Sequence, residues 1–121
     1  MWQEVAAQNV EIGEREFLKD TNYFEALLAP AFAMQRANLE RTIVNRTEFL
    51  DDLRNADPKP RVTQVDSISL IGRERLIVTC VVTMYGRRYH NVRVFVANHK
   101  PRVSDTDSEW LLLAWANEPI P

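Results

Sequence analysis

The chain has 121 residues, a formal net charge of −2, 45% apolar and 26% charged residues and a single cysteine, Cys80. This length predicts one domain spanning residues 1–121, able to bury a core without staples. A lone cysteine excludes an internal disulfide framework, and no run of about 20 apolar residues exists to span a bilayer. Fifteen Lys and Arg against seventeen Asp and Glu leave no basic excess for a phosphate backbone, so neither nucleic acid nor membrane is expected as a partner. No basic-then-apolar leader opens the chain, and a cytoplasmic location is expected.

Apolar residues first recur at helical spacing. Val5, Ile12 and Phe17 predict a helix from about Trp2 to Asp20, and Phe24, Leu27 and Leu28 a short second one. Asn22 with Glu25 has the spacing of a reciprocal cap for the second helix, and Asn45 with Glu48 repeats it before Phe49-Leu50, predicting a third. Between them, Phe32–Arg36 and Arg41–Val44 read as a small hairpin reversing near Asn38. Asn55–Arg61, with Pro58 and Pro60, reads as a linker, because proline stops both helix and ladder.

Beyond the linker the period changes to two and Val, Ile, Thr, Tyr and Phe dominate. Four strands are predicted, over about Val62–Ile71, Arg75–Tyr85, Arg87–Ala97 and Glu109–Asn117, with reversals at Gly72-Arg73 and Gly86 and a loop from Asn98 to Ser108. Short reversals force antiparallel neighbours. The expectation is an α+β domain with three helices in its first half, packed on a curved, mainly antiparallel sheet of about six strands.

In Trp110-Leu111-Leu112-Leu113-Ala114-Trp115-Ala116 both alternating residue sets are apolar, so both faces of this strand should be covered. Either a second copy seals one face, with Leu111, Leu113 and Trp115 at the contact, or the sheet curls over itself.

The element order, with Asp20 before the second helix, Asn45-Arg46-Thr47-Glu48-Phe49-Leu50, Arg93-Val94-Phe95-Val96 and the Trp110-led last strand, resembles the nuclear transport factor 2-like superfamily. Within it, the likeness is to uncharacterised bacterial domains near the polyketide-cyclase-like and ketosteroid-isomerase-like members. The resemblance implies a cone of helices over a curved sheet, a pocket between them and a homodimer. Pro30-Ala31 and Ala116 depart from the pattern, standing where members commonly carry acidic residues and a glutamine.

Candidate chemistry is sparse. Asn9, Glu16 and Asp20 interrupt the apolar arc of the first helix. A carboxylate there would act as a general base, or Asp20 would cap a turn and Glu16 lie on the wet margin of the helix. Tyr89 and Arg93 share one face of their strand and would either steady an enolate or pair across a dimer. The pocket candidates are therefore Glu16, Asp20, Tyr23, Met34, Arg36, Tyr89, Arg93 and Trp110. His90 lacks a second ligand for metal, Cys80 lies in an apolar run without a base, and Asp105–Glu109 lacks the spacing of a calcium loop, so neither metal nor cofactor is expected. Arg73, Arg75, Arg87 and Arg88 would gather at one end of the sheet if both reversals lie there. Three functions stay open: a homodimer that binds a small, mainly apolar molecule; an isomerase, dehydratase or cyclase of small carbonyl compounds; and an assembly module whose cavity is filled by Phe17, Phe24, Phe32 and Trp110.

Overall fold

A computed structural model describes residues 2–100 and 109–121. Its elements are α1 (Trp2–Phe17), α2 (Thr21–Leu27), β1 (Leu28–Gln35), β2 (Ile43–Asn45), α3 (Arg46–Asn55), β3 (Val62–Ile71), β4 (Arg75–Met84), β5 (Arg87–Ala97) and β6 (Trp110–Pro119). The strands form one six-stranded mixed sheet in the order β2-β1-β6-β5-β4-β3. All neighbours are antiparallel except β1 and β6, which run parallel and bring the first strand beside the last. The α+β class, the three helices and the four long strands are as read from the sequence.

Local chemistry explains the boundaries. Asn45 caps α3 in a full capping box: its side chain accepts from the Glu48 amide at 2.9 Å, and the Glu48 carboxylate accepts from the Asn45 amide at 3.0 Å. The cap of α2 is Asp20 rather than Asn22. α1 ends at Phe17, three residues earlier than its period suggested, and Lys19 takes φ +56°, turning Asp20 into the cap position where Oδ1 accepts from the Tyr23 amide at 3.1 Å. Leu28, expected to be helical, is already extended and starts β1. The β4–β5 reversal is a two-residue loop in which Tyr85 (φ 51°) and Gly86 (φ 77°) both have positive φ, the twist-matched form of a tight hairpin.

The β3–β4 and β4–β5 reversals lie at opposite ends of β4, since Arg75 pairs with Val96 and Met84 with Arg87. The four arginines therefore do not gather: Arg73 and Arg75 stand at one end of the sheet, Arg87 and Arg88 at the other.

One irregularity governs the last strand. Val94 pairs with Ala114 but Phe95 pairs with Leu112, so β6 carries an extra residue at Leu113, a β-bulge. The inward set is shifted by one position there, and both Leu112 and Trp115 are buried. The bulge thus accounts within a single chain for the apolar character of Leu112 and Trp115. Trp115, expected on the outer face, is 3% exposed and faces the helices; Leu111 and Leu113 are half-buried.

The main core joins Val5, Ile12, Phe24, Phe32, Phe49, Leu76, Val78, Phe95 and Leu112 between helices and sheet. Gly13 lets α1 approach β3: a Cβ there would meet Thr63 Oγ1 at 2.9 Å and Arg61 Cγ at 3.3 Å.

Candidate functional site

The inward faces of the strands change character along their length. On β5, Tyr89, Asn91, Arg93 and Phe95 point toward the helices in sequence, while His90 and Val92 are exposed on the other face. The Phe95 end belongs to the core. At the Tyr89 end a hollow of about 290 Å³ opens between the sheet, the C-terminal part of α1, α3 and the segment 56–61. Its apolar lining includes Met34, Phe49, Leu53, Val82, Met84 and Trp115; Asn91, Asn117 and Tyr89 add polar groups, and Glu16, Arg36, Asp52, Asp57, Lys59 and Arg61 add charges. Apolar side chains thus share the lining with polar and charged ones.

Glu16 is the buried carboxylate of this site. The buried positions of α1 are Val5, Asn9, Ile12 and Gly13, and Glu16 continues their stripe one turn further on, so it faces inward with a side chain only 10% exposed. Arg61 Nη1 reaches Glu16 Oε2 at 2.9 Å, and Glu16 Oε1 is buried without a hydrogen-bond partner among the described residues. Burial pushes the Glu16 carboxyl above its ordinary pKa, with Arg61, Arg93 and Arg36 pulling the other way.

Beneath the floor lies Arg93, fully buried. Its Nη1 donates to the Asn9 carbonyl at 3.0 Å and to Asn9 Oδ1 at 3.1 Å, its Nη2 donates to Asn91 Oδ1 at 3.4 Å, and its guanidinium lies 4.5 Å from the centroid of the Trp115 ring. Every one of these partners is neutral. Burial draws the Arg93 pKa down, yet a guanidinium stays charged in proteins. Trp115 Nε1 also donates to Asn91 Oδ1. Two donors thus hold the Asn91 oxygen, which orients the amide and leaves Nδ2, buried and unpartnered, on the side away from them.

Of the sequence candidates, Glu16, Met34, Arg36 and Tyr89 line the hollow, with Arg36 in an ion pair to Asp52 at its edge. Four others lie elsewhere. Asp20 is occupied by the α2 cap and by Arg15, whose Nη1 is 2.8 Å from Oδ2. Tyr23 packs against the core and edge-on to Phe24, with its phenol pKa raised mainly by burial. Trp110 packs at the opposite end of the inner face, and Arg93 supports the floor without lining it. Phe24 and Phe32 fill the core rather than the hollow, and Phe17 is 40% exposed.

Sequence reasoning missed Asn91, Asn117 and Arg61. The alternation on β5 already grouped Asn91 with Tyr89 and Arg93, and that was the available signal. Arg61 was hidden because its segment reads only as a proline-broken linker. Cys80 is buried with its thiol pKa raised by desolvation, which suits packing and not attack. Among the described residues no group of three His, Cys, Asp or Glu side chains is placed to hold a metal ion. The Asp105–Glu109 segment lies outside the described residues except for Glu109. No helix among them is long and apolar enough to cross a membrane.

No protein-family model and no curated protein sequence matches the chain. Its fold, however, recurs among solved structures. It is similar to an NTF2-like protein of unknown function from Silicibacter pomeroyi (TM-score 0.71, 10% identity, covering 98% of this chain and 96% of that one). A cystatin-like fold protein from Burkholderia xenovorans matches at TM-score 0.68 with 14% identity over 96% and 90% of the two chains. A ketosteroid isomerase-like protein from Kribbella flavida matches at 0.57 with 15% identity over 98% and 79%. The chain has the cystatin-like, nuclear transport factor 2-like fold, as the sequence motifs implied.

Proposed function

We propose that this protein is a cytoplasmic homodimer whose subunits each bind a small molecule in the hollow between α1, α3 and the sheet. The observation that carries this reading is the floor of the hollow. Trp115 and Phe49 offer aromatic surface, their ring centroids 5.9 Å apart, and the same hollow is lined by Glu16 and Asn91, whose buried Oε1 and Nδ2 have no partner among the described residues. Buried polar groups are ordinarily satisfied, and apolar surface with a few convergent polar groups is how ligand sites are built. The volume is at the small end of the range for such sites.

Dimerisation draws support from the outer face of the sheet. Val94 stands between Ile77 and Ala114, Val92 beside Ala116, and Val96 beside Leu111, an apolar patch on β5 and β6 that reaches β4 at Ile77, with Thr79 and Arg75 flanking it there and Val92 40% exposed. Leu111 and Leu113 belong to this proposed contact; Trp115 does not.

A second reading, general-base catalysis on a small carbonyl compound, is favoured by Glu16 alone: it is a cavity carboxylate with a raised pKa and one free oxygen, whereas Asp20 is excluded by its cap and ion pair. A thermal-shift screen of small molecules against wild-type protein and Val82→Phe, which fills the floor, tests the binding reading. A ligand at one hundred times its Kd stabilises the fold by about 2.7 kcal/mol. Compounds that raise Tm in wild type and not in Val82→Phe are expected; a screen without such compounds, or shifts equal in both proteins, would refute it.

A further inference from the structure

Resting on the reading of the hollow as a ligand site, the charges around it narrow the class of molecule it takes. Three carboxylates, Glu16, Asp52 and Asp57, and three cations, Arg36, Lys59 and Arg61, line it and cancel. Arg93 adds a seventh charge beneath the floor; Glu16 acts on it through space, but the cations at the site still outnumber the carboxylates by one. Among the described residues no carboxylate forms an ion pair with Arg93, and its Nε has no hydrogen-bond partner. A fully buried guanidinium whose hydrogen bonds all go to neutral groups favours a further anion nearby.

The group that transmits this demand is Asn91. Its oxygen accepts from Arg93 and from Trp115, which polarises the amide and leaves Nδ2 as a free donor on a residue that lines the hollow. Glu16 presents the opposite need: Arg61 holds Oε2, and Oε1 is left as a free buried acceptor. We infer that the hollow takes a small organic monoanion, a carboxylic acid that also bears a hydroxyl group. The carboxylate accepts from Asn91 Nδ2 with Arg93 behind it, and the hydroxyl donates to Glu16 Oε1. Each requirement of the ligand answers one unpartnered atom or the one unbalanced charge. A dicarboxylate would exceed the single charge, and an amine would face Arg61 and Arg93.

Isothermal titration tests the class with two hydroxy acids of different spacing, mandelate and 4-hydroxyphenylacetate, their primary amides, and phenylacetate, which lacks the hydroxyl. At least one hydroxy acid is expected to bind wild type at least tenfold more tightly than its amide and than phenylacetate. Asn91→Asp is the informative variant, because it keeps an oxygen for Trp115 and Arg93 while replacing the donor and supplying the missing negative charge. It is expected to keep the wild-type Tm or raise it and to lose at least tenfold in affinity for the acid. Glu16→Gln, a second variant, is expected to reduce the preference for the hydroxy acid over phenylacetate. Amides that bind as tightly as the acids, acid binding unchanged in Asn91→Asp, or no acid binding would each overturn the inference. In the last case a neutral compound that stabilises wild type but not Val82→Phe leaves the hollow a binding site of another class, and the absence of any such compound removes both readings.

Discussion

Glu16 carries the sharpest consequence of burial in this protein. Its carboxyl titrates above its ordinary value of 4.5 because desolvation outweighs the attraction of Arg61, Arg93 and Arg36. Between that value and the raised one, the folded protein holds a proton that the unfolded chain releases. Stability contributed by this group is therefore present below about pH 4.5 and is lost as pH rises through the folded pKa, with a slope of up to about 1.4 kcal/mol per pH unit for one proton. Denaturant unfolding of wild type and Glu16→Gln from pH 4.5 to 8 isolates the term. The difference in stability between the two proteins should shift in favour of the variant as pH rises; a constant difference would place Glu16 in water. Arg93 behaves differently, since it does not titrate in this range. Arg93→Met would remove the unbalanced charge but strand Asn9 Oδ1 and the stack on Trp115, so its stability effect combines opposing contributions.

At the level of elements, the parts governed by neighbours in sequence were legible and the parts governed by neighbours in space were not. The Asn45–Glu48 capping box, the reversal at Gly86 and the period-two strands depend on a few adjacent residues and can be read from them, although Tyr85, expected as the last strand residue, belongs to the turn. Asn45→Ala should lower stability by about 1 kcal/mol in chemical denaturation, and an unchanged midpoint would show the cap to be idle. The bulge at Leu113 has no local signature in a run of leucines, so the inward phase of Trp115 was hidden, and with it the floor of the site. Similarly, the two prolines of the linker reveal that the segment leaves regular structure, not that Arg61 returns to meet Glu16. Gly13 marks where that meeting is made possible. Gly13→Val would drive a branched side chain into Thr63 and Arg61, with an expected loss of about 2 kcal/mol and a weakened Arg61–Glu16 pair; stability equal to wild type would mean that α1 rides further from β3.

For the whole molecule, the sheet divides its labour between two faces. The inner face supplies a core at one end and the hollow at the other, separated along β5 by Arg93. The outer face, with Val92, Val94 and Val96 at its middle, is the face proposed to meet a second copy. Val94→Asp should shift sedimentation from a dimer to a 14.1 kDa monomer while the hollow keeps its ligand, because Val94 points away from it. Identical sedimentation of wild type and variant would contradict that proposal. The two faces meet at β6, whose bulge allows one strand to present Leu112 and Trp115 to the interior.

Trp115 offers the most direct test of the central claim that this inner face binds a small molecule. With Trp2 and Trp110 replaced by phenylalanine, Trp115 is the only tryptophan left. A compound that stabilises the protein should change the emission of Trp115 saturably, at the same Kd as its thermal effect. A compound that raises Tm while that emission stays constant through saturation would contradict the account.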